Sequence, residues 1–106
     1  MSETNFSSVA DLSGLIATQE GAVVSRTLIK KKTGTVTLFA FDTDQGLSEH
    51  TAPFDAMVFI AEGRADITIA GQTQQVSKGQ MVIMPANQPH ALHAPEPFKM
   101  LLVMIR

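Results

Sequence analysis

Residues 50–63 read HTAPFDAMVFIAEG, and residues 79–90 read GQMVIMPANQPH. Each stretch holds a short apolar run with Gly or Pro at its end and a histidine near it. The run Met57–Ala61 is apolar on both faces of a strand, which requires two buried sides. The two stretches therefore predict buried antiparallel strands joined by tight turns.

The same pattern of short apolar runs closed by Gly, Pro, Asn or Asp extends over most of the chain. Residues 65–69 alternate between apolar and polar, with Ala65, Ile67 and Ile69 on one face. This is typical of a strand with one buried face and one face exposed to solvent. The predicted strands span residues 23–30, 35–42, 56–63, 65–70, 72–76, 81–84, 91–94 and 98–105. Gly71 predicts a two-residue hairpin, since glycine adopts positive φ without strain. We expect one all-β domain over residues 23–106.

The N-terminal residues are weakly patterned. We expect residues 1–22 to form a loosely attached arm, with one short helical turn around Ser8–Leu12 capped by a serine. No stretch approaches the ~20 apolar residues of a membrane helix, and the first residues have no positive or apolar segment typical of a signal peptide. The expected location is the cytoplasm.

Composition restricts the classes of partner. The chain has 106 residues, of which 44% are hydrophobic and 17% charged, with a net charge of -2. This balance predicts neither nucleic-acid nor membrane-surface binding. The chain has no cysteine, which excludes disulfides and thiolate chemistry. The last strand is apolar on both faces, so we expect it to contribute to a homodimer interface.

Residues 50–63 resemble the first motif of the cupin superfamily, which runs His-x-His, a short spacer, Glu, six residues and Gly. Aligned backward from Gly63, the first histidine falls on His50. The second histidine falls on Ala52 and the glutamate on Ala56.

Residues 79–90 resemble the second cupin motif. Its first glycine falls on Gly79, its proline on Pro85 and its histidine on His90, while Asn87 stands at its second glycine and Ala94 at its final asparagine. Asparagine tolerates positive φ better than most residues, so the turn is expected to survive. The resemblance, to small single-barrel bacterial cupins, covers about residues 35–105. It implies an antiparallel double-stranded β-helix, or jelly roll.

The resemblance also implies a metal held by three histidines and one glutamate, but only His50 and His90 remain. Catalytic zinc sites use three protein ligands, so we expect no resident cofactor. A divalent transition metal, if bound, would have only these two histidines as protein ligands. His93 lies three residues from His90 and is expected to face away from the pocket. Asp55 is also expected to point outward, capping the turn after Pro53.

The predicted function is binding of a small molecule inside the barrel, where two alanines enlarge the space that metal ligands would fill. The predicted pocket residues are His50, Ala52, Ala56, Val58, Met84, His90 and Leu92. Two alternatives remain open. The first is a metal-free isomerase with His50 or His90 as base, although the chain has no tyrosine to act as acid. The second is a metal-dependent enzyme, of oxygenase or isomerase type, with a ligand set that is partly non-protein. No catalytic residue is assigned.

Overall fold

The computed structural model describes residues 7–106. Within this range a single turn of 3₁₀ helix at Leu12–Gly14 precedes nine strands. The strands are β1 (Val23–Lys31), β2 (Gly34–Phe41), β3 (Gly46–His50), β4 (Asp55–Glu62), β5 (Arg64–Ile69), β6 (Gln72–Ser77), β7 (Met81–Met84), β8 (His90–His93) and β9 (Phe98–Ile105). Two antiparallel sheets result, in the spatial orders β1-β2-β9-β4-β7 and β3-β8-β5-β6. The all-β jelly roll expected from the sequence is confirmed.

Two local features differ from the sequence-based expectations. The strand β3 was missed because Leu47 is its only large apolar residue, so no alternation is visible. The helical turn begins at Leu12 instead of ending there. Its N-cap is Asp11, which makes no side-chain capping hydrogen bond, so the predicted serine cap is wrong. Among residues 7–106 no helix is long and apolar enough to cross a membrane.

The hairpin between β5 and β6 is confirmed. Ala70 and Gly71 both have positive φ, 50° and 83°. A two-residue turn with positive φ at both positions matches the right-handed twist of the flanking strands. The register that follows pairs Ile69 with Gln72 and Ile67 with Gln74, which keeps Ile67 on the buried face.

The core lies between the two sheets. Phe41 and Phe98 stack at its centre, with ring centroids 4.5 Å apart and 9° between the ring planes. Val58, Ile60 and Ile67 are fully buried around them. These side chains fill one end of the barrel, because at the other end the inward residues at the start of β4 and in the later part of β9 line a cavity instead.

Residues 7–22 are the described part of the predicted N-terminal arm, whose first six residues lie outside the described range, and they pack on the outer face of the five-stranded sheet. This segment is irregular apart from the 3₁₀ turn, but Ile16 is buried with Leu38 and Ala40 of β2. Two basic side chains hold it in place. Arg26 donates to the carbonyl of Leu15 at 2.7 Å, and Lys99 donates to that of Ser13 at 2.7 Å.

Beyond this segment the outer face is mostly apolar where β7, β4 and the end of β9 meet, with the exposed Asp55 at its edge beside Ile105. The strand register places Met57 beside Val103 and Ile83, and Phe59 beside Met81. Met81 is 46% exposed and Ile83 49% exposed. Residues on β4 and β9 are therefore apolar on both sides, as the sequence pattern predicted.

Candidate functional site

His50 reaches the space between the sheets from the end of β3. The pairing of β3 with β8 shifts register between Leu47 and His50. Such an irregularity offsets the alternation of side chains, so Leu47 and His50 both line one cavity although they are an odd number of positions, three, apart. The His50 ring is exposed, and its Nδ1 lies 2.9 Å from the carbonyl oxygen of Ser48.

His90 begins β8 and is buried, with 7% of its surface exposed. The turn before it depends on Asn87, whose φ is 66°, so the asparagine fills the position of a glycine as predicted. The backbone N–H of Asn87 donates to the carbonyl of Ala52 at 2.8 Å, which ties the turn to the loop after β3. The Nδ1 of His90 lies 3.2 Å from the carbonyl oxygen of Gln88.

The two imidazoles meet edge to face. Their Nε2 atoms are 3.1 Å apart, and their ring planes make an angle of 70°. Burial lowers the pKa of His90 below its ordinary value, and a second positive charge on His50 would lower it further. The hydrogen bond to the Gln88 carbonyl acts in the opposite direction. The buried ring therefore favours its neutral form.

The cavity that receives these rings is otherwise apolar and has a volume of about 60 Å³. Its walls come from both sheets and from the loop between β3 and β4. The lining residues are Leu47, His50, Ala52, Phe54, Ala56, Met84, His90, Leu92, Met100, Leu102 and Met104. The structure thus brings six of the seven predicted pocket residues around one cavity.

Val58 is the predicted pocket residue that does not line it. This side chain points inward from β4, but it lies two residues farther toward the closed end than Ala56 and is fully buried in the core. Sequence reasoning also missed five lining residues. Three of them, Met100, Leu102 and Met104, alternate along β9, so strand parity with the core residue Phe98 is the signal that could have found them.

The other polar residues singled out in the sequence lie outside the cavity. His93 faces away from it, as expected, with its ring nitrogens 3.4 Å from Asp44 and 3.7 Å from Asp66. Asp55 is exposed as predicted, but its carboxylate accepts a hydrogen bond from the N–H of Ala86 at 2.9 Å. The turn it caps is therefore the one between β7 and β8, and not the one after Pro53.

At the rim of the cavity, Phe54 is half-buried and contacts the last residue of the chain. The guanidinium of Arg106 lies 5.2 Å from the centroid of the Phe54 ring, within the range of a cation–π interaction. The Arg106 backbone N–H donates to the carbonyl of Thr33 at 2.9 Å. This contact places a permanent positive charge beside the cavity wall.

The donor set does not fit a resident transition metal. Apart from the two imidazoles, the cavity walls are alkyl, phenyl and thioether groups. Within residues 7–106, no three side chains of His, Cys, Asp or Glu are grouped so that they could hold a metal ion. Because catalytic sites of this type use at least three such ligands, we derive no chemistry through a metal.

Comparison with known proteins agrees with the barrel and its two motif segments. The family model described as the cupin domain matches residues 37–105. The chain belongs to the cupin family. This cupin is also 31% identical over 77 residues to the uncharacterized protein SCO3923 of Streptomyces coelicolor, a match that covers 73% of this chain and 71% of that protein.

Solved structures resemble this cupin over nearly its whole length. The conserved SPY1581 protein of unknown function from Streptococcus pyogenes superposes with a TM-score of 0.93 at 39% identity, covering 98% of this chain and 91% of that one. A cupin superfamily protein, DSY2733 from Desulfitobacterium hafniense DCB-2, gives a TM-score of 0.91 at 26% identity, covering 97% and 94%. These likenesses establish the fold and the family, and the function must be argued from the site.

Proposed function

We propose that this cupin is a small-molecule-binding barrel whose ligand directs a polar group at His50 and His90. The observation that carries the proposal is the convergence of two imidazole Nε2 atoms, 3.1 Å apart, in a cavity with otherwise apolar walls. Binding sites for small molecules combine such an apolar lining with a few polar groups that fix orientation.

The alanines at the positions of the missing metal ligands support this reading. Ala52 and Ala56 both line the cavity, so the space that a histidine and a glutamate would fill remains available to a ligand. On β9, the strand next to Ala56 in the same sheet, Met100 and Met104 offer flexible thioether side chains that adapt to the shape of an apolar group. A ligand would therefore place its polar end at the histidines and its apolar part against β9.

The proposal is tested by blocking the cavity. We expect a screen of small molecules against melting temperature to find at least one that raises it by several degrees, because a ligand at about 100 times its Kd stabilises the folded state by about 2.7 kcal/mol. Ala52→Leu should remove the shift by filling the cavity. The control is Ala91→Leu, a half-buried alanine of β8 that does not line the cavity.

Two results would contradict the proposal. One is a screen in which no compound raises the melting temperature of the wild type. The other is a shift of equal size in Ala52→Leu and in the wild type, which would mean that the compounds bind elsewhere on the protein.

A further inference from the structure

The inward-facing residues of β4 and β9 run side by side toward the end of the barrel that holds the cavity. On β9 this row includes Met104, and its next position is Arg106. On β4 the row begins at Ala56, and the preceding position of the same parity is Phe54. Because Ala56 pairs with Met104, the same register brings Phe54 next to Arg106 just beyond the paired strands.

Phe54 lies at the boundary between the cavity and the exposed Arg106. Its ring lines the cavity and is half-buried. Arg106 lies beyond the lining residues, with its guanidinium 5.2 Å from the centroid of the ring. The same ring therefore contacts an apolar cavity and an exposed positive charge.

The turn between β1 and β2 holds Arg106 at two points. The backbone N–H of Arg106 donates to the carbonyl of Thr33 at 2.9 Å, and its Nη1 donates to that of Lys32 at 3.4 Å. A guanidinium within about 6 Å of an aromatic centroid attracts the ring. A fixed guanidinium at this position therefore favours one position of the Phe54 ring, the one that closes the cavity.

Phe54 itself is less constrained than the aromatic residues of the core. It lies in residues 51–54, which connect β3 and β4 and belong to no strand. Phe41 and Phe98, by contrast, stack on each other and are almost completely buried. A half-exposed side chain outside a strand changes rotamer without breaking any hydrogen bond of the sheets. Phe54 is therefore an aromatic wall of the cavity that is able to move.

We propose that Phe54 is a lid over the apolar end of the cavity, that Arg106 keeps the lid closed, and that the closed lid limits the length of the ligand. This inference rests on the proposed function and names the residue that decides ligand size. The ligand places its polar end at the two histidines, and its apolar part runs along Met100 and Met104 until it meets the Phe54 ring. Arg106 is a positioning residue, because it acts on the ligand through the ring.

The closed lid leaves room for a short chain. A volume of about 60 Å³ holds about four water molecules at roughly 15 Å³ each, so the enclosed part of a ligand has about four to six non-hydrogen atoms. Straight-chain primary alcohols are suitable probes, because the hydroxyl group forms a hydrogen bond with an imidazole nitrogen in either direction. Their chain length increases by one CH₂ at a time.

Oxidation of Met84 by hydrogen peroxide tests the lid without any ligand. One oxygen atom of the peroxide is transferred to the thioether, which becomes a sulfoxide, and water is released. Met84 lines the cavity and is 4% exposed, so peroxide must enter the cavity to reach it. Met81 lies in the same tryptic peptide, residues 79–99, and is 46% exposed on the outer face, so it serves as the internal reference in mass spectrometry.

Variants of the ring and of the cation should change this rate in a defined order. Phe54→Ala should accelerate the oxidation of Met84 most, and Phe54→Leu less, because leucine still covers part of the opening. Arg106→Gln should accelerate it about two- to fivefold, the effect of losing one cation–π contact at an exposed site. Arg106→Lys keeps the cation and should stay near the wild-type rate. Lys32→Gln is the matched control, because it removes an exposed charge from the adjacent turn and leaves the backbone carbonyl in place.

The length limit is tested by titrating the alcohols from 1-propanol to 1-octanol. The NMR signals of ¹³C-labelled methyl groups on Met100 and Met104 report binding next to the lid. The Kd should fall about fourfold for each CH₂ that the cavity encloses. In the wild type this gain should stop at about four carbons, whereas in Phe54→Ala it should continue to longer chains. Lys32→Gln should behave as the wild type.

The two experiments separate the lid from the proposed function. Equal rates of Met84 oxidation in the wild type and in Phe54→Ala would overturn the lid, and equal rates in the wild type and in Arg106→Gln would overturn the role of Arg106. The same limiting chain length in the wild type and in folded Phe54→Ala or Phe54→Leu would overturn the length limit and leave the binding barrel standing. Failure of every alcohol to bind either protein would contradict the proposed function and the length limit, while the oxidation rates would still decide the lid.

Discussion

The carboxylate of Asp55 accepts a hydrogen bond from the backbone N–H of Ala86 at 2.9 Å, although 31 residues separate the two in sequence. Asp55 opens β4 just after the loop that follows His50, and Ala86 lies in the turn that leads to His90. The bond therefore joins the two segments that carry the histidines. Together with the bond from Asn87 to the carbonyl of Ala52, it fixes the distance between them.

Removing the Asp55 carboxylate should lower ligand affinity more than it lowers the stability of the fold. Asp55→Ala leaves the Ala86 N–H without its protein partner, and we expect the free energy of unfolding in urea to fall by about 1 kcal/mol. Asp55→Asn keeps an oxygen acceptor and serves as the control. Ligand affinity should fall in the alanine variant and be largely retained in the asparagine variant. Equal loss of stability in both variants would show that the charge matters and not the hydrogen bond.

The histidines themselves should be dispensable for folding. The hydrophobic core consists of other residues, among them Phe41, Phe98 and Met100. We expect His50→Ala and His90→Ala to stay folded, each losing less than about 3 kcal/mol of unfolding free energy. Circular dichroism and urea titration measure this. A larger loss in either variant would mean that the pair is a structural element and not a ligand site.

Stability should decrease as the pH falls through the titration of His90. Burial lowers the pKa of His90 in the folded state, whereas the unfolded chain keeps the ordinary value of 6.5. The unfolded state therefore binds more protons below about pH 6.5, so this contribution to stability is complete above that pH and is lost below it. His90→Gln should flatten the profile between pH 7 and 5, and His93→Gln should not. A wild-type profile that is flat over this range would contradict the prediction.

The lowered pKa of Asp42 acts in a separate range of pH. Hydrogen bonds from the backbone N–H groups of Gly21 and Thr43 lower it below the ordinary value of 3.8. The stability that it contributes is present above that pH and is lost as the pH falls further. The contributions of His90 and Asp42 to stability can therefore be separated by measuring the free energy of unfolding as a function of pH.

The sequence predicted the barrel and most of the cavity because both depend on regular strand patterns. Ala56 and Met84 lie on strands predicted from short apolar runs that end at Gly63 and Pro85, and both line the cavity. His50, Ala52 and Ala56 are separated by even numbers of positions, but alternation along one strand is not what brings them together. His50 ends β3 and Ala56 lies on β4, with Ala52 in the loop between them, so a turn and not parity brings them together.

Contacts that depend on the path of the chain were beyond sequence reasoning. The pairing of Arg106 with Phe54 follows from β9 ending next to the loop before β4, which no local pattern encodes. The register shift in β3 likewise decides that His50 faces His90. By contrast, the positive φ of Asn87 was predictable, because the residue types that adopt this conformation are few.

The apolar outer face of the five-stranded sheet leads to a prediction about assembly. Two copies should pair through this face, because a patch without charged residues is complementary to itself about a two-fold axis. The patch consists of Met57, Phe59, Met81, Ile83, Val103 and Ile105.

Light scattering at micromolar concentration should give twice the mass of the 11.4 kDa chain. Phe59→Glu should yield a monomer, and the exposed control Gln74→Glu should remain a dimer; a monomeric wild type would contradict the prediction.

The last prediction restores the ligands that the cupin motif has in other members and that this chain lacks. The structure places Ala52 and Ala56 on the wall of the cavity that His50 and His90 enter, so the double variant Ala52→His, Ala56→Glu would gather three imidazoles and one carboxylate. Four such ligands suit a divalent transition metal. Without metal the variant should be less stable than the wild type, because it buries polar groups without partners.

Added Ni²⁺, Mn²⁺ or Zn²⁺ should reverse this loss. At about 100 times Kd a metal that binds only the folded state adds about 2.7 kcal/mol, which raises the melting temperature by several degrees. The wild type should respond little, since two imidazoles do not complete a site. The matched control is Ala91→Glu, which adds a carboxylate on the outer face of β8 and should gain nothing from metal. If metal raises the melting temperature of the wild type as much as that of the double variant, a metal site already exists. If the double variant folds and its melting temperature does not change with metal, residues 52 and 56 do not occupy the ligand positions.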